Sequence, residues 1–520
     1  MGDNIFWADK AAEEIIEKEE KLKRVKSYRT EMGIGASGIP HIGSVGDGVR
    51  SFVVHLALKE RGAKSEFIAF SDDRDGLRKV PSGFPDILEK EIGIPVSHIP
   101  DPFGCHKSYA EHMSSLLMDA YEKLGIDFVF RSADKEYAKG TLDKEIVDIL
   151  KNWKMAGEII KKLTGQEKFE LQLPFLPICS QCGNVCTTRA VSFDGKKVTY
   201  KCDVEYEGKN SGTGKKILVK GCGFEGTEGI REGKLAWKVD FAARWRALKI
   251  NYEAYGKDIS DSVRVNDAIC KEILQWEPPV HSFYELFTER GGEKISKSSG
   301  NVFTPQLWLK YASPESMKLV YLKKLGKSRV IDLDAIPAYE EEVDELAGIY
   351  FGKKLIENKT DLAHARRLFE FIHFLKPPKK FQPIVQYSTI INIARPVPEF
   401  SVVWKEMEKT GHIGGNKKVL EERIGRVIEW IKDTGGEVEV ASVPENQKAF
   451  LQKLASELGK DWTEEKLQNR IFELSKESGN PREFFRSAYM SITGKEAGPK
   501  LSTLILALGK DKIAEKLRGI

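Results

Sequence analysis

Apolar residues recur along this chain in two different periods, and the switches between them mark its elements. Up to Arg24 the chain is mostly charged, with Ile15, Ile16 and Leu22 as an apolar side, which predicts a helix packed on the outside of the next elements of the chain. Ser27 to Met32 has extended character and leads into GIGASGIPHIGS (33–44), after which Val45, Val49, Phe52, Val53 and Leu56 fall at helical spacing. That order is strand, glycine-rich turn, helix. EFIAF (66–70) is a second buried strand, and it runs into the acidic loop SDDRDGLRKVP. Strands alternating with helices predict a parallel, doubly wound sheet, whose ligands sit at the carboxyl ends of its strands. The glycine turn and the acidic loop both fall there.

From about Pro95 to Gly233 the alternation gives way to His- and Cys-bearing segments and Gly/Lys-rich loops, which reads as an insertion. It returns with LAWKVD from Leu235, then INYEAYGKDI, a helix carrying Val263, Ala268, Ile269 and Ile273, the strand HSFYELF and the turn RGGEKISKSSGN. After Ile331 the pattern is one of successive amphipathic helices, broken at PP (377–378), GG (414–415) and GG (435–436). The expected fold is therefore α/β: a Rossmann-type doubly wound parallel sheet split by an insertion and followed by an all-α C-terminal domain. Its boundaries are placed at 1–95 and 234–330 for the two halves of the catalytic domain, 96–233 for the insertion and 331–520 for the helical domain.

Composition narrows the class. With 41% hydrophobic and 31% charged residues over 520 positions, the chain has material for two to four domains, which excludes a collagen, a mostly disordered chain or a small disulfide-stapled module. Lys+Arg 82 against Asp+Glu 78 leaves a formal +4, so any polyanion must be held by local patches. No stretch approaches the roughly 18–20 apolar residues of a membrane span, and the charged start is unlike a secretory signal. Seven cysteines, five of them between Cys179 and Cys222, point to metal ligation in a reducing cytoplasm.

Two constellations carry the chemistry. In Ser37-Gly38-x2-His41-Ile42-Gly43-Ser44, glycines let backbone approach a ligand, and the helix directly after offers free N–H groups and a positive dipole end to phosphate. A histidine there can donate to phosphate oxygens as charge builds. The bland alternative is a plain turn with a capping histidine. Gly411-His412-Ile413-Gly414-Gly415 repeats the letters, but between helical segments, where a helix–helix loop is expected. The second constellation is the Lys-Ser loop from Lys294 to Asn301, whose Lys294 and Lys297 can surround a triphosphate. On its own it is an ordinary solvated loop; paired with the histidine turn at the other end of one alternating fold, it suggests a nucleotide site.

The segments ASGIPHIGS and EKISKSSGN resemble the HIGH and KMSKS signatures of class I aminoacyl-tRNA synthetases. RTEMGIGASGIPHIGSVGDGVR, SDDRDGLRKVP, AWKVDFAARW, YEAYGKDI and PREFFRSAYMSITGKEAGPKLSTLILALG together resemble the class I lysyl-tRNA synthetases of archaeal type, from about Tyr28 almost to the C-terminus. The departures are Ile295 for the usual Met, Ala36 for Pro, and Ile259 where many members carry His. The resemblance implies an ATP-dependent ligase that makes lysyl-adenylate and passes lysine to the 2′-hydroxyl of the terminal adenosine of tRNA(Lys). His41, Ser44, Lys294 and Lys297 would be catalytic; Gly38, Gly43, Lys257 and Asp258 would lie with them at ATP, with Mg²⁺ on the phosphates. Lysine needs a site for an aliphatic stem ending in an ammonium, met by aromatic walls and a carboxylate. Trp237, Asp240 and Tyr284 match the family's amino-acid pocket, with Gly33 and Gly35 leaving room. Each has a structural alternative, as core aromatic or strand-end cap.

Cys179-x2-Cys182 with Cys202 and Cys222 can supply four thiolates for a closed, structural Zn²⁺ site, with Cys186 as a spare. Asp101-x3-Cys105-His106-x5-His112 is by spacing a scatter of surface polar groups; the resemblance raises it to a second zinc set. By the same resemblance the helical region reads the anticodon, and basic segments at 323–329 and 376–380 could neutralise phosphates. A monomer is expected. Two competitors are a nucleotidyltransferase acting on a phosphorylated metabolite and a non-catalytic tRNA-binding relative. A glutamate-specific ligase would instead want an arginine facing its substrate's carboxylate.

Overall fold

The computed structural model describes residues 6–24, 27–288, 303–434, 443–494 and 496–520. They form two compact units, one of residues 1–308, 317–332 and 355–377 and one of residues 309–316, 333–354 and 378–520.

The first unit is built on five parallel strands, β1 (Tyr28–Ile34), β2 (Ser65–Ser71), β3 (Val129–Ser132), β4 (Tyr252–Gly256) and β5 (Val280–Tyr284). Their order across the sheet is β5-β4-β1-β2-β3. Chain order thus reverses between β1 and β4, where a doubly wound sheet opens its binding crevice. Side chains alternate between the two faces. Phe67 of β2 meets Phe52 of α2 (Ile42–Glu60) edge-on at 5.6 Å, whereas Ile68 and Phe70 enter the core shared with α4 (Trp237–Leu248) and α5 (Ser260–Glu272). The charged opening helix, α1 (Trp7–Lys21), buries Ala8, Ala11, Ala12 and Ile15; Ile16 is only half-buried and Leu22 exposed.

The structure departs from the sequence pattern in three places. Edge strand β3 lies within 96–233 and pairs in register with β2 from Ile68↔Val129 to Ser71↔Ser132, so that stretch is not wholly an insertion. It is preceded by α3 (Tyr109–Leu124) and followed by helices whose Tyr137, Ile146, Ile149 and Ile160 share the core of α4 and α5. Only after them come the strands of residues 189–229, which form a three-stranded antiparallel sheet (189–193, 197–201 and 225–229) and an antiparallel pair (205–210 and 216–220) that residues 79–80 join in parallel. In LAWKVD the strand ends at Leu235 and Trp237 opens α4. Finally, residues 317–332 and 355–377 cluster with the first unit, the latter carrying Arg367, which binds Asp9 and Glu60.

The second unit is helical. Leu451, Leu454, Leu467, Ile471, Phe484 and Leu504 form one of its cores. Arg423, buried, links helix 417–434 to helix 336–350 through Glu340 at 3.3 Å and Asp344 at 2.6 Å. His412 lies in the loop between helices 400–409 and 417–434, as the context of its glycines indicates. The double glycine at 435–436 lies outside the described residues.

Candidate active site

At the β1/β4 switch point lies a cavity of about 280 Å³. The glycine turn after β1 forms one wall. His41 is the residue before α2, with extended backbone (φ −94°, ψ 169°) and no side-chain capping bond, so it is not the plain capping histidine of the bland alternative. Its ring lies over the start of the helix because residue 43 is glycine: a Cβ there would stand 2.9 Å from the imidazole. The helix start is tied down by Ile42 N donating to Phe303 O at 2.8 Å and by Tyr321 Oη donating to Ile42 O at 2.7 Å. Pro40, His41, Gly43 and Ser44 therefore face the cavity on a fixed backbone, where N–H groups and dipole favour an anion.

The floor is acidic and buried. Glu31 of β1 and Glu253 of β4 sit side by side in register, and Asp72 comes directly after the end of β2. Two like charges on adjacent strands repel unless a cation lies between them. Arg244, reaching up from α4 and only 1% exposed, is that cation: it meets Glu31 at 2.5 Å and Asp72 and Glu253 at 3.2 Å each. Three carboxylates share one guanidinium. Burial pushes the Glu31 carboxyl well above the usual range and that of Asp72 up to about 7, against the pull of Arg244. Asp72, Glu253 and Arg244 all reach the cavity wall, so the floor offers an entering cation carboxyls that can ionise toward it.

Aromatic and polar groups close the sides. Trp237 stands with Phe241, ring centres 4.7 Å apart, and it also lines a neighbouring cavity of about 280 Å³ with Gly35 and Asp72. Tyr284 at the end of β5 donates its hydroxyl to Asp47 of α2. Burial pushes the Asp47 carboxyl up to about 7, opposed by that hydrogen bond and by the charge of Arg50. Gly33, Gly35, Asp258 and Ile259 complete the wall.

The expected site residues are therefore mostly gathered here. Three are not. The Asp240 carboxylate is turned away, accepting the Tyr137 hydroxyl at 2.6 Å; Trp237 opens a helix rather than a strand, and that rotates residue 240 into the core. Lys257 is exposed and paired with Glu285 at 3.0 Å. Gly38 lies in the turn ahead of His41, outside the wall. Lys294 and Lys297 lie outside the described residues. Sequence reading missed Asp47, Asp72, Arg244 and Glu253. For Glu253 the available signal was a charged residue inside the strand INYEAYG, and Asp72 lies in the acidic loop SDDRDGLRKVP placed at the strand ends.

Both ligand sets assemble. Cys179, Cys182, Cys202 and Cys222 bring their sulfurs within 4.8 Å of one another, with Cys179–Cys222 at 3.7 Å and Cys182–Cys202 at 3.8 Å. Tetrahedral bonds of about 2.3 Å to one zinc would set sulfurs about 3.8 Å apart, so the donors present fit such an ion. Cys186 is not the fourth ligand; it packs against Gly76. Asp101, Cys105, His106 and His112 also converge, the Cys105 sulfur lying 3.1 Å and 3.2 Å from the Nδ1 atoms of His106 and His112. This mixed O/S/N set is no scatter of surface groups.

A parallel sheet of this strand order, with a histidine-glycine helix start at its switch point, is the nucleotide-binding architecture of a class I aminoacyl-tRNA synthetase. The family of class I (K) tRNA synthetases matches residues 5–374, and an anticodon binding domain matches residues 436–520. A lysine–tRNA ligase of Cenarchaeum symbiosum (strain A) is 41% identical over 99% of this chain and 98% of its own. One of Rickettsia bellii (strain OSU 85-389) is 31% identical over 97% and 95%, and one of Rickettsia rickettsii (strain Sheila Smith) 32% identical over 94% and 92%. The chain belongs to the class I lysine–tRNA ligase family.

Proposed function

We propose that the protein activates lysine with ATP and transfers it to tRNA(Lys), and that the cavity at the β1/β4 switch point is where both steps occur. The observation that carries lysine as the amino acid is the buried surplus of carboxylates over cations at the cavity floor. An ammonium entering beside Asp72 and Glu253 favours their ionised forms and pairs with them, whereas a carboxylate substrate would face the same acidic groups. Trp237 and Tyr284 flank the aliphatic stem, and Gly33 and Gly35 leave it space.

In the first step the lysine carboxylate attacks the α-phosphorus of ATP, the bond to the bridging oxygen breaks, and pyrophosphate leaves. No enzyme nucleophile is required, so catalysis is positioning and charge stabilisation. His41 and Ser44, held at the start of α2, donate to phosphate oxygens, and Lys294 and Lys297 stabilise the reacting phosphate and the leaving pyrophosphate. Asp258, in the cavity wall, lies near the nucleotide. Mg²⁺, arriving with ATP, neutralises phosphate charge. Zn²⁺ is assigned to both ligand sets as a structural ion that cross-links the loops carrying them. The adenylate is then attacked by the 2′-hydroxyl of the terminal adenosine, with AMP leaving, while the helical second unit engages the anticodon.

Amino-acid-dependent exchange of labelled pyrophosphate into ATP, run for all twenty amino acids with and without total tRNA, tests this reading. A signal for lysine is expected. His41→Ala should lower kcat about 10²–10³-fold, the cost of one lost transition-state donor. A signal for another amino acid would overturn the floor argument, and silence from all twenty would overturn the ligase reading.

A further inference from the structure

One buried cation of the first unit stands apart from the Arg244 cluster. Arg50 lies three residues beyond Asp47 on α2, so both side chains leave the same face of the helix. It is 1% exposed, and among the described residues its Nε and Nη1 have no hydrogen-bond partner. Rings hold it instead. The guanidinium carbon is 3.8 Å from the centre of the Tyr284 ring, 5.7 Å from that of Tyr321 and 5.8 Å from that of Phe287. Room for it comes from Gly46, where a Cβ would stand 2.5 Å from Arg50 Nη1. A guanidinium is costly to bury without hydrogen bonds, and desolvated ring stacking recovers part of that cost.

The arrangement joins Arg50 to the cavity without placing it in the wall. Tyr284 and Asp47 are wall residues; the Tyr284 ring rests on Arg50 while its hydroxyl is donated to Asp47. We propose that Arg50 is a positioning residue for amino-acid binding, which fixes the Tyr284–Asp47 pair in the cavity wall by stacking on the ring whose hydroxyl Asp47 accepts. The proposal rests on the ligase reading above. It makes substrate affinity depend on a cation that the substrate does not touch.

The test is steady-state pyrophosphate exchange with lysine and ATP varied in turn, for the wild type, Arg50→Met, Arg50→Lys, Tyr284→Phe and the double variants. Arg50→Met is expected to raise KM for lysine about ten-fold, as loss of a desolvated cation–π contact would. Its kcat and its KM for ATP should stay within about two-fold, the pattern of lost ground-state binding. Arg50→Lys keeps the charge but not the planar stacking face, so it should fall between. In the Tyr284→Phe background, where Asp47 no longer receives the hydroxyl, either Arg50 substitution should cost clearly less than it does alone.

Unchanged KM for lysine in Arg50→Met, or equal rises for lysine and ATP, would overturn the proposal. So would full additivity with Tyr284→Phe. If Arg50→Met does not fold, the cycle between Arg50→Lys and Tyr284→Phe still decides it by the same criterion. A wild type that exchanges with a different amino acid contradicts the lysine reading while leaving the cycle to be run on that amino acid; a wild type silent with all of them overturns both.

Discussion

The cysteine quartet and the cavity floor are both clusters of acidic ligands, and they differ in how far they are closed off. In the quartet four sulfurs stand at a spacing that one tetrahedral ion would fill, so a single metal would close the site. On the floor three carboxylates converge on one arginine, and two of them, Asp72 and Glu253, also reach a cavity wall. A closed site would be complete with one ion, whereas a floor open to a cavity keeps carboxyls for a substrate to meet. Removing a buried partner from either should therefore be costly, but only the floor should respond to lysine.

The largest effect is expected from Arg244→Met. It strands Glu31 and Glu253 without their cation and leaves Asp72 only the buried Lys234 nearby, and loss of one member of a buried ion cluster costs about 3–5 kcal/mol of folding stability. Denaturant unfolding should show the loss to be smaller at pH 5 than at pH 8, because the carboxyls can then take up protons. Next comes metal removal. Elemental analysis should find zinc on the protein, and chelation should render Cys179, Cys182, Cys202 and Cys222 reactive to thiol reagents and the 179–229 segment open to protease, with α2 and its cavity wall still protected. If chelation and Arg244→Met unfold the same region, the distinction between the two sites fails.

Asp72→Asn should be milder for the fold and specific for substrate. Its carboxyl oxygen is retained for Arg244, while the charge facing the substrate ammonium is lost, so KM for lysine should rise about ten- to a hundred-fold, the range for one hydrogen bond to a charged group. KM for ATP should hold. The smallest effect concerns pH. Asp47 and Asp72 release their protons near pH 7 in the fold and near 3.9 in the unfolded chain. The folded state therefore holds extra protons between those values, and this contribution to stability is present in acid and lost as pH rises through 7. Lysine offsets the loss by pairing with the ionised groups. Its thermal shift should accordingly grow from pH 6 to pH 8.

How legible all this was in the sequence depended on how local each feature is. The His41 turn and the quartet were readable because their residues lie close along the chain or carry a thiol spacing that few other roles require. The alternating strands were readable from period. The floor was not: Glu31, Asp72, Arg244 and Glu253 come from four elements and meet only because β1 and β4 are neighbours at the switch point. Asp240 was named as a pocket carboxylate through the family resemblance of its segment; with Trp237 opening α4, its carboxylate accepts the Tyr137 hydroxyl instead. Part of 96–233 passed for insertion because the strand within it is four residues long.

The most direct test of the charge argument is the pH dependence of KM for lysine in tRNA aminoacylation, from pH 6 to 8.5, in the wild type and in Asp72→Asn. The account predicts that the wild-type KM falls as pH rises through about 7, where the floor carboxyl ionises, and that the variant shows a higher KM with a shallower slope. Identical slopes in the two proteins would contradict it.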